Sequence, residues 1–125
     1  AMTIDELVKE YKYIGDFLNN HWPLKDKKQK TFARTMKVLE ELGELSDEIL
    51  TSMNLQRNSK IARFSRENLE DEFADVLACL ILLANELNID VEKVIKRKIV
   101  FTKERFELEK EDSYSDLQLG SGDDK

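Results

Sequence analysis

Two short stretches of the chain concentrate carboxylates at helical spacing. The first reads Glu40-Glu41-Leu42-Gly43-Glu44-Leu45-Ser46-Asp47-Glu48, and the second reads Glu72-Phe73-Ala74-Asp75. At roughly 100° per residue, Glu40, Glu41, Glu44, Asp47 and Glu48 fall on one arc of a helix. Like charges at i,i+3 and i,i+4 cost helix stability unless something positive compensates. A solvated acidic stripe is the plain reading of that arc. Gly43 adds to it, because a glycine inside a helix costs about 1 kcal/mol relative to alanine and suggests close approach by a backbone or ligand. In the second stretch every residue from Phe73 to Ala84 except Asp75 is apolar. A helix apolar all round is normally buried all round. Asp75 is therefore expected to have a partner, such as a lysine, a cap or a cation.

Each stretch offers an i,i+3 pair, Glu41 with Glu44 and Glu72 with Asp75. If the two helices pack antiparallel, four carboxylates converge. Two like charges ~4 Å apart repel by roughly 4 kcal/mol at an effective dielectric of about 20, so such a cluster requires neutralisation. An all-oxygen ligand set selects hard cations, Mg²⁺ first and Mn²⁺ next. A di-iron site of the ferritin type needs Glu-x-x-His pairs, and the single histidine, His21, lies away from both stretches. Zinc is disfavoured for the same reason, since Cys79 and His21 make a poor ligand set.

The elements that must position these groups are four amphipathic segments. Residues 3–19 carry Ile4, Leu7, Val8, Tyr11, Ile14 and Leu18 at helical spacing, with Thr3 and Glu6 as a capping box. Asn19 to Pro23 breaks that helix. Residues 26–53 carry a stripe of Phe32, Met36, Leu39, Leu42, Leu45, Ile49 and Met53. A polar, basic connector over 54–65 includes a short turn around Ile61. Residues 66–87 form the third segment. The fourth starts after Asn88 with Asp90 as N-cap and runs to about residue 110. In it, Val91, Val94 and Ile95 define the side expected to face the bundle, and Lys98, Thr102 and Arg105 share that side. The expected fold is all-α, a bundle of four main helices over 1–110. Residues 111–125 are acidic, contain Gly120 and Gly122, and read as a disordered tail.

Composition agrees with that plan. The chain has 125 residues, with four glycines and one proline, a hydrophobic share of 41% and a charged share of 37%. These values fit one soluble helical domain rather than a turn-rich β fold. A net charge of −6 argues against electrostatic binding to nucleic acid or to an anionic membrane. The unbroken apolar run over 76–84 is too short to span a bilayer. The start of the sequence has no signal core, and Cys79, the single cysteine, allows no intrachain disulfide. A cytoplasmic protein is expected. A chain of this size buries a modest core, and the apolar circumference of 73–84 asks for more cover than four short helices give. A homodimer or a dimer of dimers is therefore expected.

The two motifs together, Glu40-Glu41-Leu42-Gly43-Glu44 and then Glu72-Phe73-Ala74-Asp75, resemble those of the MazG-like, all-α nucleoside triphosphate pyrophosphohydrolase superfamily. The similarity covers about 32–106. It includes Glu67-Asn68-Leu69-Glu70 before the second motif and Leu87-Asn88-Ile89-Asp90 before the last helix. The resemblance implies Mg²⁺-dependent hydrolysis of a (deoxy)nucleoside triphosphate to monophosphate and pyrophosphate, in the service of clearing unwanted nucleotides. It makes Glu41, Glu44, Glu72 and Asp75 the metal ligands and sets Glu40 and Glu41 at the catalytic water. Lys98 and Arg105 match a Lys-x-x-x-Asn-x-x-Arg pattern, with Thr102 where the family usually has asparagine. Lys98, Thr102, Arg105, Lys37 and Trp22 are the candidate substrate contacts, and His21 and Phe101 are weaker ones. A dimeric dUTPase and a phosphoribosyl-ATP pyrophosphohydrolase belong to the same superfamily. A non-catalytic acidic interaction module is the alternative outside enzymes.

Overall fold

The computed structural model describes residues 1–22 and 24–108. Five helices follow one another with no strand among the described residues: α1 (Ile4–His21), α2 (Lys27–Ser52), α3 (Asn58–Ile61), α4 (Arg66–Glu86) and α5 (Val91–Arg105). Local chemistry sets the ends. Thr3 Oγ1 accepts from the Glu6 amide at 3.1 Å while Glu6 Oε1 accepts from the Thr3 amide at 2.9 Å, a reciprocal capping box. Asp26, Ser65 and Asp90 cap α2, α4 and α5 by accepting from the amides of Gln29, Asn68 and Lys93. Asn54 (φ 58°) and Asn88 (φ 57°) take the left-handed conformation just beyond α2 and α4, where asparagine is the best tolerated non-glycine residue. The proposed tail over 111–125 lies outside the described residues.

Helices α2 and α4 form the central pair, with α1 laid against α4. The pair is antiparallel. Leu45 and Ile49 share a groove with Leu69 and Phe73 at one end, and Arg34 shares a pocket with Leu82 and Glu86 at the other. The connector is tied down by polar contacts. Asp47 of α2 accepts from Lys60 Nζ at 2.8 Å and from Gln56 Nε2 at 2.6 Å.

The buried core is small, comprising Leu45, Ile81, Leu82 and Ala84. The exposure of α4 agrees with the shortage of cover expected from four short helices, while the expected enclosure of Asp75 is corrected. Helix α4 is not buried all round, since Phe73 is 63% exposed and Leu80 47%, and Asp75 itself is exposed. In one copy of the chain only α1 and α2 cover α4 to any extent, so one side stays bare. A matching stripe of Phe32, Met36 and Leu39 is exposed along α2.

Helix α5 departs from expectation in a related way. It packs chiefly on α1 and ends at Arg105 rather than near residue 110. Val91 and Val94 are half-buried, whereas Ile95 is exposed. Val94, Ile95, Arg97, Lys98 and Phe101 line an open groove of about 530 Å³, so this face does not meet the α2–α4 pair.

Within the chain, no backbone makes the close approach expected at Gly43. A Cβ on Gly43 would meet nothing within 4 Å. The close approach occurs at Gly15 instead, where a Cβ would lie 3.2 Å from Leu82 Cδ2. Gly15 is buried, and its missing side chain sets how closely α1 settles on α4.

Candidate metal centre

The antiparallel α2–α4 pair brings the two acidic motifs to one side. One carboxylate oxygen each from Glu41, Glu72 and Asp75 lies within 4.8 Å of the others. Glu44 stands beside this group rather than in it, close enough for its carboxyl to hydrogen-bond with Glu41 and Glu72. The electrostatics follow from the crowding. Desolvation, then the hydrogen bond with Glu44, then the charges of Glu44, Asp75 and Glu41 push Glu72 up to about 7. Hydrogen bonding with Glu44, reinforced by desolvation and by neighbouring charge, also raises Glu41.

Glu41 Oε2 and Glu72 Oε2 are buried with no hydrogen-bond donor. Buried acceptors normally have a partner, and two orphaned carboxylate oxygens in one cluster ask for a cation. The donor set is all oxygen, so the residues fit a hard divalent ion.

The other residues expected at the site divide into two groups. Glu40 points along the surface and pairs with Lys37, one turn away. The hydrogen bond to Glu40, reinforced by the charges of Glu40 and Glu41 and opposed by burial, raises the pKa of Lys37. Lys98 lies over the Phe101 ring at 5.2 Å and Arg105 over the Phe106 ring at 5.0 Å. Among the described residues no ion pair joins either cation to the cluster, and Thr102 is half-buried on the same helix. His21 stacks on Phe17 at the end of α1, with centroids 4.1 Å apart.

Trp22 belongs to an arrangement that motif reading missed. Its ring covers the guanidinium of Arg34 at 4.8 Å. Arg34 is only 3% exposed. Its Nη2 donates to Asn19 Oδ1 at 3.0 Å and reaches the Gly15 carbonyl at 3.4 Å. Asn19 Nδ2 in turn donates to Glu86 Oε2 at 2.8 Å. Burial lowers the pKa of Arg34, and Glu86 works against that shift. One signal was available in the sequence: Arg34 is in helical register with Val38 and Leu45, on the inward side of α2.

Comparison with known proteins agrees with the constellation. The MazG-like family model matches residues 35–117. YpjD, an uncharacterised protein of Bacillus subtilis (strain 168), is 31% identical over 86 residues, which are 69% of each chain. No solved structure matches. No described helix is long and apolar enough to cross a membrane. With both acidic motifs on facing helices and the family match spanning them, the chain belongs to the MazG-like family.

Proposed function

We propose that the chain is a divalent-metal-dependent nucleoside triphosphate pyrophosphohydrolase that converts a (d)NTP and water to (d)NMP and pyrophosphate, serving nucleotide-pool house-cleaning. The observation that carries this reading is the pair of orphaned carboxylate oxygens in the Glu41–Glu72–Asp75 cluster, in a chain whose family acts on nucleotides.

Glu41, Glu72 and Asp75 hold the ion, and Glu44 completes the set. When bound, Mg²⁺ or Mn²⁺ offsets the negative charge of protein and substrate and makes a neighbouring water more acidic. Glu41 and Glu44, hydrogen-bonded to each other, are placed to take the proton that this water loses. Glu40, held by Lys37, orients the outer edge of the site. Water adds across the bond between the α- and β-phosphates, and pyrophosphate leaves. Lys37 is a cation whose charge reaches Glu41 within a single copy of the chain. Lys98 and Arg105 reach the phosphates once α5 has its partner.

That partner is a second copy, in a homodimer or a dimer of dimers. The exposed stripes Phe32, Met36, Leu39 and Phe73, Leu77, Leu80 lie on a different arc of their helices from the acidic residues, with centres roughly 140° away at about 100° per residue. A bare apolar surface of this kind marks an interface. Sedimentation at micromolar concentration gives a dimer or larger, and a fully active stable monomer would refute the assembly.

The test of the activity is a panel of nucleoside triphosphates with Mg²⁺. Pyrophosphate and monophosphate appear in equal amounts, and chelation stops the reaction. Release of orthophosphate and nucleoside diphosphate would instead show an ordinary phosphatase-type hydrolase.

A further inference from the structure

One surface of the chain is as basic as the metal centre is acidic. Helix α5 holds six basic side chains and two acidic ones, in a chain whose net charge is −6. Lys96 pairs with Glu92. Among the described residues, Arg97, Lys98 and Arg105 form no ion pair with a carboxylate, and Lys98 and Arg105 lie over aromatic rings instead. At about 100° per residue, Val94, Arg97, Lys98, Phe101 and Arg105 share one arc of the helix. The open groove of about 530 Å³ runs along that arc, with Phe101 53% exposed in it. Apolar side chains flanked by cations call for a complement that is acidic with apolar side chains interspersed.

The end of α5 sets where the chain goes next. Glu107 takes the left-handed conformation, with φ 53°. Its amide donates to the Glu104 carbonyl at 3.1 Å, and the Leu108 amide donates to the Lys103 carbonyl at 2.9 Å. These two bonds make a Schellman turn, which closes the helix and brings Leu108 back beside Lys103. The chain has thus begun to reverse along α5 at its last described residue. The segment that follows, 109–119, lies outside the described residues. It carries Glu109, Glu111, Asp112 and Asp116 against the single basic Lys110, with Tyr114, Leu117 and Leu119 among them. The family match runs on to residue 117, so most of this segment is part of what the family shares. Its length is ample. The rise of α5 from Val94 to Arg105 is roughly 16 Å, which about five extended residues span.

We propose that residues 109–119 fold back into the α5 groove of the same chain. Glu111 and Asp112 answer Arg97 and Lys98, and Tyr114 seats against Val94, Ile95 and Phe101. A second copy's α5 in that place would set cation against cation across a two-fold axis. The segment instead neutralises cations that the helices leave unpaired and covers apolar surface that they leave bare. On the nucleotide reading above, phosphates that reach Lys98 displace it, so the segment competes with phosphate for this helix.

The experiment reads amide signals of the full chain by NMR, with a nitroxide on the cysteine of Ser115→Cys in a Cys79→Ala background. The label broadens the signals of residues 94–101 at least about threefold more than it does after the charge reversal Glu111→Lys with Asp112→Lys, because the docked population falls. Arg97→Glu with Lys98→Glu also loses the broadening, and combining the two reversals restores it, which general damage to α5 would not do. In a one-to-one mixture of isotope-labelled chain with unlabelled, spin-labelled chain the broadening is slight, since the contact is within one chain. Millimolar inorganic triphosphate in EDTA removes it. Broadening that is equal with and without the charge reversal shows a solvated segment and overturns the proposal. Broadening as strong in the mixture as within one chain gives the groove to the segment of a second copy and overturns it as well. Broadening that persists in triphosphate leaves the docking in place and overturns the competition with phosphate.

Discussion

Helices α2 and α4 carry two charged regions, two turns apart, that solve opposite problems. Around Arg34 the buried charge is a cation, and the protein answers it from within, through Asn19, Gly15, Glu86 and the Trp22 ring. Around Glu41 and Glu72 the charges are all negative, two buried oxygens are left without donors, and Glu72 retains its proton up to about 7. The first region is a folding element held together by the chain's own groups, with Arg34 Nε left without an acceptor. The second spends stability to keep a place for something the chain does not supply. The contrast separates residues whose loss unfolds the protein from residues whose loss only silences it.

The sharpest way to break that distinction is Glu72→Gln. It keeps the shape of the side chain and removes the charge. Metal-dependent turnover falls by about a thousandfold or more, equivalent to roughly 4 kcal/mol, while the thermal midpoint measured without metal stays level or rises. A fall in that midpoint would show that the cluster is structural. Arg34→Met is the converse. It strips the hub of charged hydrogen bonds worth about 1.5–3 kcal/mol each and leaves Asn19 and Glu86 to regroup. A loss of about 3 kcal/mol in urea denaturation is expected, with or without Mg²⁺.

The pH dependence offers a gentler probe. Glu72 has a folded pKa of about 7 against an ordinary 4.5. Between those values the unfolded chain has lost a proton that the folded chain still holds. Stability of the metal-free protein therefore falls as pH rises through this window. Melting temperatures taken from pH 5 to pH 8 in EDTA should decline. Glu72→Gln should flatten the decline, and Mg²⁺ should reverse it at the upper end, where ion and proton no longer compete. The smallest effect belongs to α5. Lys98→Ala should lower kcat/KM by about tenfold, roughly 1.4 kcal/mol. Lys96→Ala, whose side chain pairs with Glu92 on another arc, should change it little. Equal small effects would remove α5 from the site.

The two regions also differ in how far they could be read before the fold was known. The acidic pairs are local, three residues apart on each helix, and a single assumption of antiparallel packing joins them. The helix ends were equally local, because Thr3, Asp26 and Asp90 cap the residues that immediately follow them. The Arg34 hub depends on Asn19, Gly15 and Glu86, groups 15, 19 and 52 positions away in sequence, and no spacing rule links these. Periodicity also says which face of a helix is apolar without saying what covers it. That is why Asp75 read as enclosed, whereas it is open in one copy of the chain. The same gap hid the tight contact within the chain, which lies at Gly15.

Asp47 belongs by position to the acidic arc of α2, yet Lys60 and Gln56 withdraw it from the metal centre. The crossover between the two central helices is thus fastened by one half-exposed ion pair and one amide, beside the half-buried Ile61 and Phe64. Such a fastening is screened by electrolyte, whose Debye length shrinks from about 10 Å at 0.1 M to about 3 Å at 1 M. Rising salt should therefore quicken amide hydrogen exchange in α3 and its flanks well before it reaches the amides of α2 and α4. The connector acts as a separate cooperative unit, able to open while the helices that carry the carboxylates stay folded.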